Sequence, residues 1–321
     1  MLKGTRLLIV ALLLLLGACA EKGVDEGREE AVDKKQETVT IDSFIDIFLA
    51  EDYERIYAGM SKELQREVTE EQFKKLSASY NEDVEAYDIK SKLEIGDGMT
   101  QYTMISDSRE KGLLLVMGEE DIIEGIQLVP IEEQHKSDEV YTNNTYALPL
   151  TGEWVVYWGG DNALMNYHYD YPNQRYAYDL LQMKNGETYE GNPKKNESYY
   201  AFGQDYLAPA DGKVVTVVND IPDNEPVGKM NEQNPLGNHV IIEHDEAEFS
   251  YLAHFKEGSI EVTEGDQVKE GDLLGQVGNS GNSSEPHIHF HIADSADIDT
   301  SESIRIQLEE GDLVQGDVVE E

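Results

Sequence analysis

Glu285-Pro286-His287-Ile288-His289-Phe290-His291-Ile292 sets three histidines in alternation with three apolar residues. In an extended strand successive side chains point to opposite faces. All three imidazoles then share one face, while Ile288, Phe290 and Ile292 enter a core. Neutral imidazole is a common metal ligand and the usual general acid or base near neutral pH. A strand that gathers three of them points to a metal-assisted hydrolytic site. The plainer alternative is a polar strand face that holds no metal.

Outward from this strand, β-type signals dominate residues 147–300. Strands are expected at Trp154–Trp158, Lys213–Val218, His239–Glu243, Phe249–His254 and Leu273–Val277, punctuated by glycines and turn pairs. Many short strands with few helical periods predict a mainly antiparallel β domain. Ahead of it, Ile41, Phe44, Ile45, Phe48 and Leu49 recur at helical spacing with Asp42 placed to cap. Further helical stretches follow at Tyr53–Met60 and from Ser61 or Thr69. Strand patterns then take over at Tyr87–Leu93, Gln101–Ser106, Gly112–Met117 and Ile122–Val129. Helices followed by a run of strands predict a small α+β domain over residues 39–131. The polar stretch 132–146 reads as a linker, and 301–321 as an acidic C-terminal extension.

At 321 residues the chain can hold two ordinary domains. Its 66 acidic and 25 basic residues give a formal charge of -41, which repels polyanions and excludes nucleic acid as a partner. The acidity is spread along the chain and reads as solubility in a salty or alkaline medium. At the N-terminus, Lys3 and Arg6 precede an apolar run from Leu7 to Leu16, shorter than the roughly 20 residues of a bilayer span. The run ends in Leu16-Gly17-Ala18-Cys19, which resembles the bacterial lipobox. That resemblance implies a signal peptide over residues 1–19, lipid on Cys19 and attachment to the outer face of the cell membrane. Cys19 is the only cysteine, so neither an intramolecular disulfide nor a cysteine zinc cage is available. Residues 20–38 are charged and nearly free of large apolar groups, as a solvated tether should be.

Five motifs occur in order: Ala208-Pro209-Ala210-Asp211-Gly212, Gly237-Asn238-His239-Val240-Ile241-Ile242-Glu243-His244, Tyr251-Leu252-Ala253-His254, Val268-Lys269-Glu270-Gly271-Asp272, and Gly278-Asn279-Ser280-Gly281 through His287-Ile288-His289. Together they resemble the LytM/lysostaphin-type zinc endopeptidases of family M23, over roughly residues 147–300. The resemblance implies a two-layer β fold, a Zn2+ cofactor and cleavage of peptide bonds in peptidoglycan. It makes His289 and Asp179 zinc ligands and His254 and His287 catalytic histidines. Three ligands and one open position let zinc lower the pKa of a water there to about 7. The first domain resembles the small NTF2-like domains that accompany secreted bacterial enzymes, which implies a spacer or a protein-interaction module.

One departure stands out. The first ligand of the family pattern would fall four residues before Asp179, at Arg175. A guanidinium has no lone pair for zinc. On a strand it would share the face of Asp179 and put a fixed positive charge where the cation belongs. Two alternatives follow. His168, eleven residues before Asp179, folds back to supply the nitrogen, or the domain has lost its metal and serves as a binding or regulatory scaffold for cell-wall hydrolysis. His239 and His244, flanking one strand, read as surface groups or as groups that support a ligand from behind, and His291 as a residue that could orient a ligand in that way. Tyr167, Tyr169, Tyr171, Tyr176 and Tyr178 either line a groove or pack.

Overall fold

The computed structural model describes residues 38–131 and 135–320. The lipobox with Cys19, nearly all of the tether and residues 132–134 of the expected linker lie outside these. The chain divides into two compact units. Of the described residues, one takes 38–88 together with Met104–Pro130, and the other takes Ile89–Thr103 together with 131 and 135–320.

The first unit opens with helices α1 (Ile41–Leu49), α2 (Tyr53–Ala58), α3 (Lys62–Glu67) and α4 (Glu70–Tyr80). The spacing of Phe44, Ile47 and Phe48 buries one face of α1. Its cap is Thr40 rather than Asp42: the Thr40 N–H donates to the Ser43 hydroxyl at 3.0 Å, and Asp42 sits in the first turn. There a carboxylate still favours the positive end of the helix dipole. Thr69 and Gln72 exchange backbone-to-side-chain hydrogen bonds at the start of α4, a capping box. Strands β1 (Tyr87–Glu94), β2 (Thr100–Ser106), β3 (Lys111–Met117) and β4 (Ile123–Pro130) then form a four-stranded sheet in that order, although residues 89–103, most of β1 and β2, are counted with the second unit. The α+β order expected for this region is the observed one.

The second unit contributes β5 (Tyr141–Tyr146), β6 (Glu153–Trp158), β7 (Tyr178–Leu181), β8 (Asp205–Leu207), β9 (Gly212–Val218) and β10 (Asn238–Glu243). It continues with β11 (Phe249–Phe255), β12 (Gln267–Val268), β13 (Leu273–Gln276), β14 (Ile288–Ala293), β15 (Ser303–Leu308) and β16 (Val318–Glu320). The main sheet runs β12-β9-β10-β11-β14-β7-β6-β16, with β15 pairing β14 and β5, while β8 and β13 form a separate pair. The pairings are antiparallel except that of β5 with β15. One face of the main sheet packs Trp154, Val156, Leu180, Val240, Leu252, Ile288, Phe290 and Ile292 against Tyr206 and Leu274 of the β8–β13 pair. This is the two-layer β core. The opposite face of β14 carries the histidines, as the alternation of the opening stretch requires.

Two boundaries read from polarity are corrected. Residues 141–146, expected to end a linker, form β5, and its Tyr146 is fully buried. The buried Glu248 carboxylate accepts from the Tyr146 hydroxyl at 2.9 Å and from Asn144 Nδ2 at 2.8 Å. That bonding lets a polar strand be internal without orphaned donors. Residues 301–320, expected as an extension, supply β15 and β16 and bury Ile306, Leu308 and Val319 in the main core. Burying an aliphatic side chain contributes about 1.5–3 kcal/mol. Removing residues 301–321 from the full chain should therefore cost roughly 5 kcal/mol or more, most of a domain's usual margin. Denaturant unfolding measures this, and an unchanged midpoint would show that the segment is dispensable.

Candidate metal centre

The pairing of β7 with β14 sets Asp179 directly opposite His289. Residues opposed in an antiparallel pair share a face. Here the His289 ring Nδ1 lies 2.9 Å from Asp179 Oδ1. His287 Nε2 is 3.6 Å from the same oxygen, and His168 Nε2 is 3.7 Å from Asp179 Oδ2. All four side chains are buried. Burial alone would push the Asp179 carboxyl up, but the imidazoles of His287, His168 and His289 outweigh it and hold the group well below the usual carboxylate range. Two triads each bring their donor atoms within 4.8 Å of one another: His168, Asp179 and His289, and His254, His287 and His289. Nitrogen and carboxylate donors are the kinds of group that hold zinc.

His168 reaches this point through Asn166. The Asn166 side chain is fully buried and accepts the His168 N–H at 3.1 Å. Its amide donates to the carbonyls of Gly160, Arg175 and Ala177 at 3.3, 3.2 and 3.0 Å. One side chain thus ties the loop before His168 to the loop before β7. His168 Nδ1 is buried with no hydrogen-bond partner among the described residues. The other nitrogen, Nε2, stands 3.7 Å from Asp179 Oδ2, too far for a good hydrogen bond, and leaves room between the two groups for a cation.

Arg175 does not occupy the site. The expectation that it shares a strand face with Asp179 is corrected: β7 starts only at Tyr178, and residues 172–176 form turns. The guanidinium turns back to donate to the Tyr169 carbonyl at 2.6 Å and stacks over the Tyr169 ring. Among the described residues, neither Lys nor Arg lines the cleft between His168 and His289.

His254 needs a local departure from strand geometry. Ala253 pairs with His289, so in a regular strand His254 would face the core. Its backbone instead adopts φ +66°, a left-handed conformation tolerated by histidine more than by most residues. The ring therefore joins the cleft while Leu252 and Phe255 both enter the core. Its Nδ1 is 2.7 Å from the Ser280 carbonyl, which can only accept, so Nδ1 carries the proton and Nε2 presents a lone pair. Gly237 permits that approach: a Cβ there would come within 2.4 Å of the Ser280 carbonyl group. His287 follows the same logic, with Nδ1 donating to the Glu285 carbonyl at 2.8 Å and Nε2 facing Asp179. Burial holds His254 well below the ordinary imidazole range.

The remaining expectations divide. His244, read as a surface group, is buried, with Nδ1 2.8 Å from the Asp211 carbonyl and Nε2 2.9 Å from the Ser250 hydroxyl. It is a structural histidine away from Asp179. His239 is partly buried, with Nδ1 2.8 Å from the Gly237 carbonyl. His291 lies against the ring of His289. The tyrosine cluster splits: Tyr169 and Tyr176 donate to the buried Asp138 at 2.8 and 2.7 Å, Tyr178 joins the core, and Tyr167 borders the cleft. Asn166 and Ser280 were not singled out in the sequence; an Asn two residues before a histidine is too common a pattern to be read alone.

Residues 199–300 match Peptidase family M23. The second unit carries an M23 peptidase domain. The matched segment contains His254, His287 and His289, while His168 and Asp179 precede it. The cell division protein DipM of Caulobacter vibrioides is 29% identical over 90 residues, which cover 28% of this chain and 12% of that relative. The chain thus spans about an eighth of that relative's length. Among solved structures, the catalytic domain of the antimicrobial peptidase lysostaphin from Staphylococcus simulans is 18% identical, with a TM-score of 0.26 over 53% of this chain and 95% of that one. An M23 peptidase from Pseudomonas aeruginosa is 17% identical, with a TM-score of 0.29 over 64% of this chain and 81% of that one.

Two outcomes follow for the M23 domain. Asn166→Ala strips partners from buried backbone groups around the cleft and should lower stability by about 1–3 kcal/mol in denaturant unfolding; an unchanged midpoint would show the tie is idle. The second concerns pH. Burial holds the His168 imidazole down at about 4, against 6.5 for an exposed ring. Between these values the unfolded chain binds a proton that the folded ring refuses, so stability falls as pH drops through that window. For His168 alone the full loss is on the order of 3 kcal/mol. Metal-free protein unfolded at several pH values should show this slope, and His168→Phe should flatten it.

Proposed function

We propose that the M23 domain is a zinc endopeptidase that cleaves peptide bonds in peptidoglycan, held outside the cell membrane by lipid on Cys19. The observation that carries this reading is the place of His168: it brings a third donor to Asp179 and His289 while Arg175 points elsewhere. His168, Asp179 and His289 would hold the ion, and zinc bound there supplies Lewis acidity toward water and the substrate carbonyl. His254 and His287 both present Nε2 lone pairs on the same cleft. One of these nitrogens takes a proton from the attacking water and returns it to the departing amine. The Ser280 and Glu285 carbonyls steady each ring through Nδ1–H while it is charged. The exposed Tyr167 and the walls at Gln174, Pro235 and Asn282 border the space left for a peptide.

The cell-wall substrate is supported by the match of residues 199–300 to Peptidase family M23 and by the lipobox-like Leu16-Gly17-Ala18-Cys19. The first unit, with no catalytic cluster apparent in its sequence, would serve as a spacer or as the contact for a protein partner. The rival reading, a metal-free scaffold that regulates wall hydrolysis, drew its force from Arg175, and the turned-away guanidinium weighs against it.

Metal analysis of the purified chain should give about one zinc per molecule. His168→Ala should lose that zinc, whereas Arg175→Ala should keep it. His287→Ala should keep the metal yet digest purified cell walls about 100-fold more slowly or worse. Equal digestion by His287→Ala and the native chain would end the catalytic assignment, and a zinc-free native chain would favour the scaffold.

A further inference from the structure

His291 is the one imidazole of the opening stretch that the proposed chemistry leaves unused. It is fully buried. Its ring stacks on Tyr251, its partner across the β11–β14 pairing, with centroids 4.6 Å apart and planes within 9°. The Tyr251 hydroxyl donates to the Ser295 carbonyl at 2.8 Å, so the stacking surface is itself fixed. His291 Nδ1 lies 3.0 Å from His289 Nε2, and His291 Nε2 has no partner among the described residues.

These contacts restrict the protons. His289 Nδ1 faces Asp179, the side from which a cation would be held. An imidazole that ligates through Nδ1 carries its remaining proton on Nε2. The group that meets this proton is His291 Nδ1, which must then be an unprotonated acceptor, with the His291 proton on Nε2. We propose that His291 is a positioning residue that accepts the His289 Nε2–H, locking His289 in the tautomer and rotation in which Nδ1 ligates the metal. Ligands held from behind in this way bind metal more tightly, because the ring is pre-oriented and made more basic. The unpartnered Nε2–H of His291 is a cost accepted in a site that needs the other nitrogen bare. This inference rests on the reading that His168, Asp179 and His289 hold zinc.

Two variants of the full chain separate the roles. His291→Phe preserves the stack on Tyr251 and removes the acceptor; His291→Gln keeps an acceptor oxygen. Zinc affinity is measured by competition with a chromophoric chelator, alongside the unfolding midpoint of each metal-free protein. His291→Phe should bind zinc roughly 10- to 100-fold more weakly, and His291→Gln should recover most of that loss. Affinity equal to the native chain in His291→Phe would overturn the proposal, as would a loss in both variants that follows their midpoints. Should His291→Phe not fold, nitrogen-15 NMR of the native zinc-loaded protein decides: protons on His289 Nε2 and His291 Nε2 support the lock, and a proton on His291 Nδ1 refutes it. A native chain that binds no zinc at all would instead remove the metal reading on which the lock depends.

Discussion

The buried carboxylate of Asp179, set opposite His289 by the β7–β14 pairing and faced by the imidazoles of His287 and His168, is the constraint from which the rest of the M23 domain follows. A charge taken out of water is tolerable only when opposite charge or strong donors meet it. His289 meets Asp179 at hydrogen-bond distance, while His287 and His168 stand slightly farther off. That spacing is loose for a closed hydrogen-bonded network and apt for one with a cation among the rings. The main sheet supplies rigidity, because the same strand that points His289 and His291 to one side drives Ile288, Phe290 and Ile292 into the core on the other.

Around this fixed strand pair, irregular segments deliver the other groups. His168 arrives from a short turn pinned by Asn166, and His254 from a left-handed residue at the end of β11. Such conformations are held only where neighbours over-determine them. Here the Ser280 carbonyl, admitted by Gly237, does so for His254, and the carbonyls of Gly160, Arg175 and Ala177 do so through Asn166. Precise side chains on loops braced by a sheet are a recurrent way of building sites.

The same bracing explains why the C-terminal segment belongs to the domain. β15 pairs directly with β14, and the Ser303 hydroxyl accepts the Tyr176 N–H at 3.3 Å in the turn that leads to β7. Strands that look like polar or acidic flanks in composition therefore support the residues of the cleft. The strongly negative charge of the chain sits outside this logic and bears on solubility and on which partners it repels.

The sequence by itself determined the face of β14, the antiparallel β class and the helix-then-strand order of residues 39–131, and it singled out His254, His287, His289 and Asp179, which the fold gathers in one cleft. Each of these rests on short-range rules: a two-residue strand period, a helical period, or an ordered series of motifs. Tertiary structure alone turned Arg175 away and brought His168 to Asp179, because linear spacing says nothing of where a turn sends a side chain. It also decided that 141–146 and 301–320 are sheet strands, since polarity marks a segment as solvated until a buried partner such as Glu248 satisfies it. Distances between residues far apart in sequence come from packing, and a metal centre consists of little else.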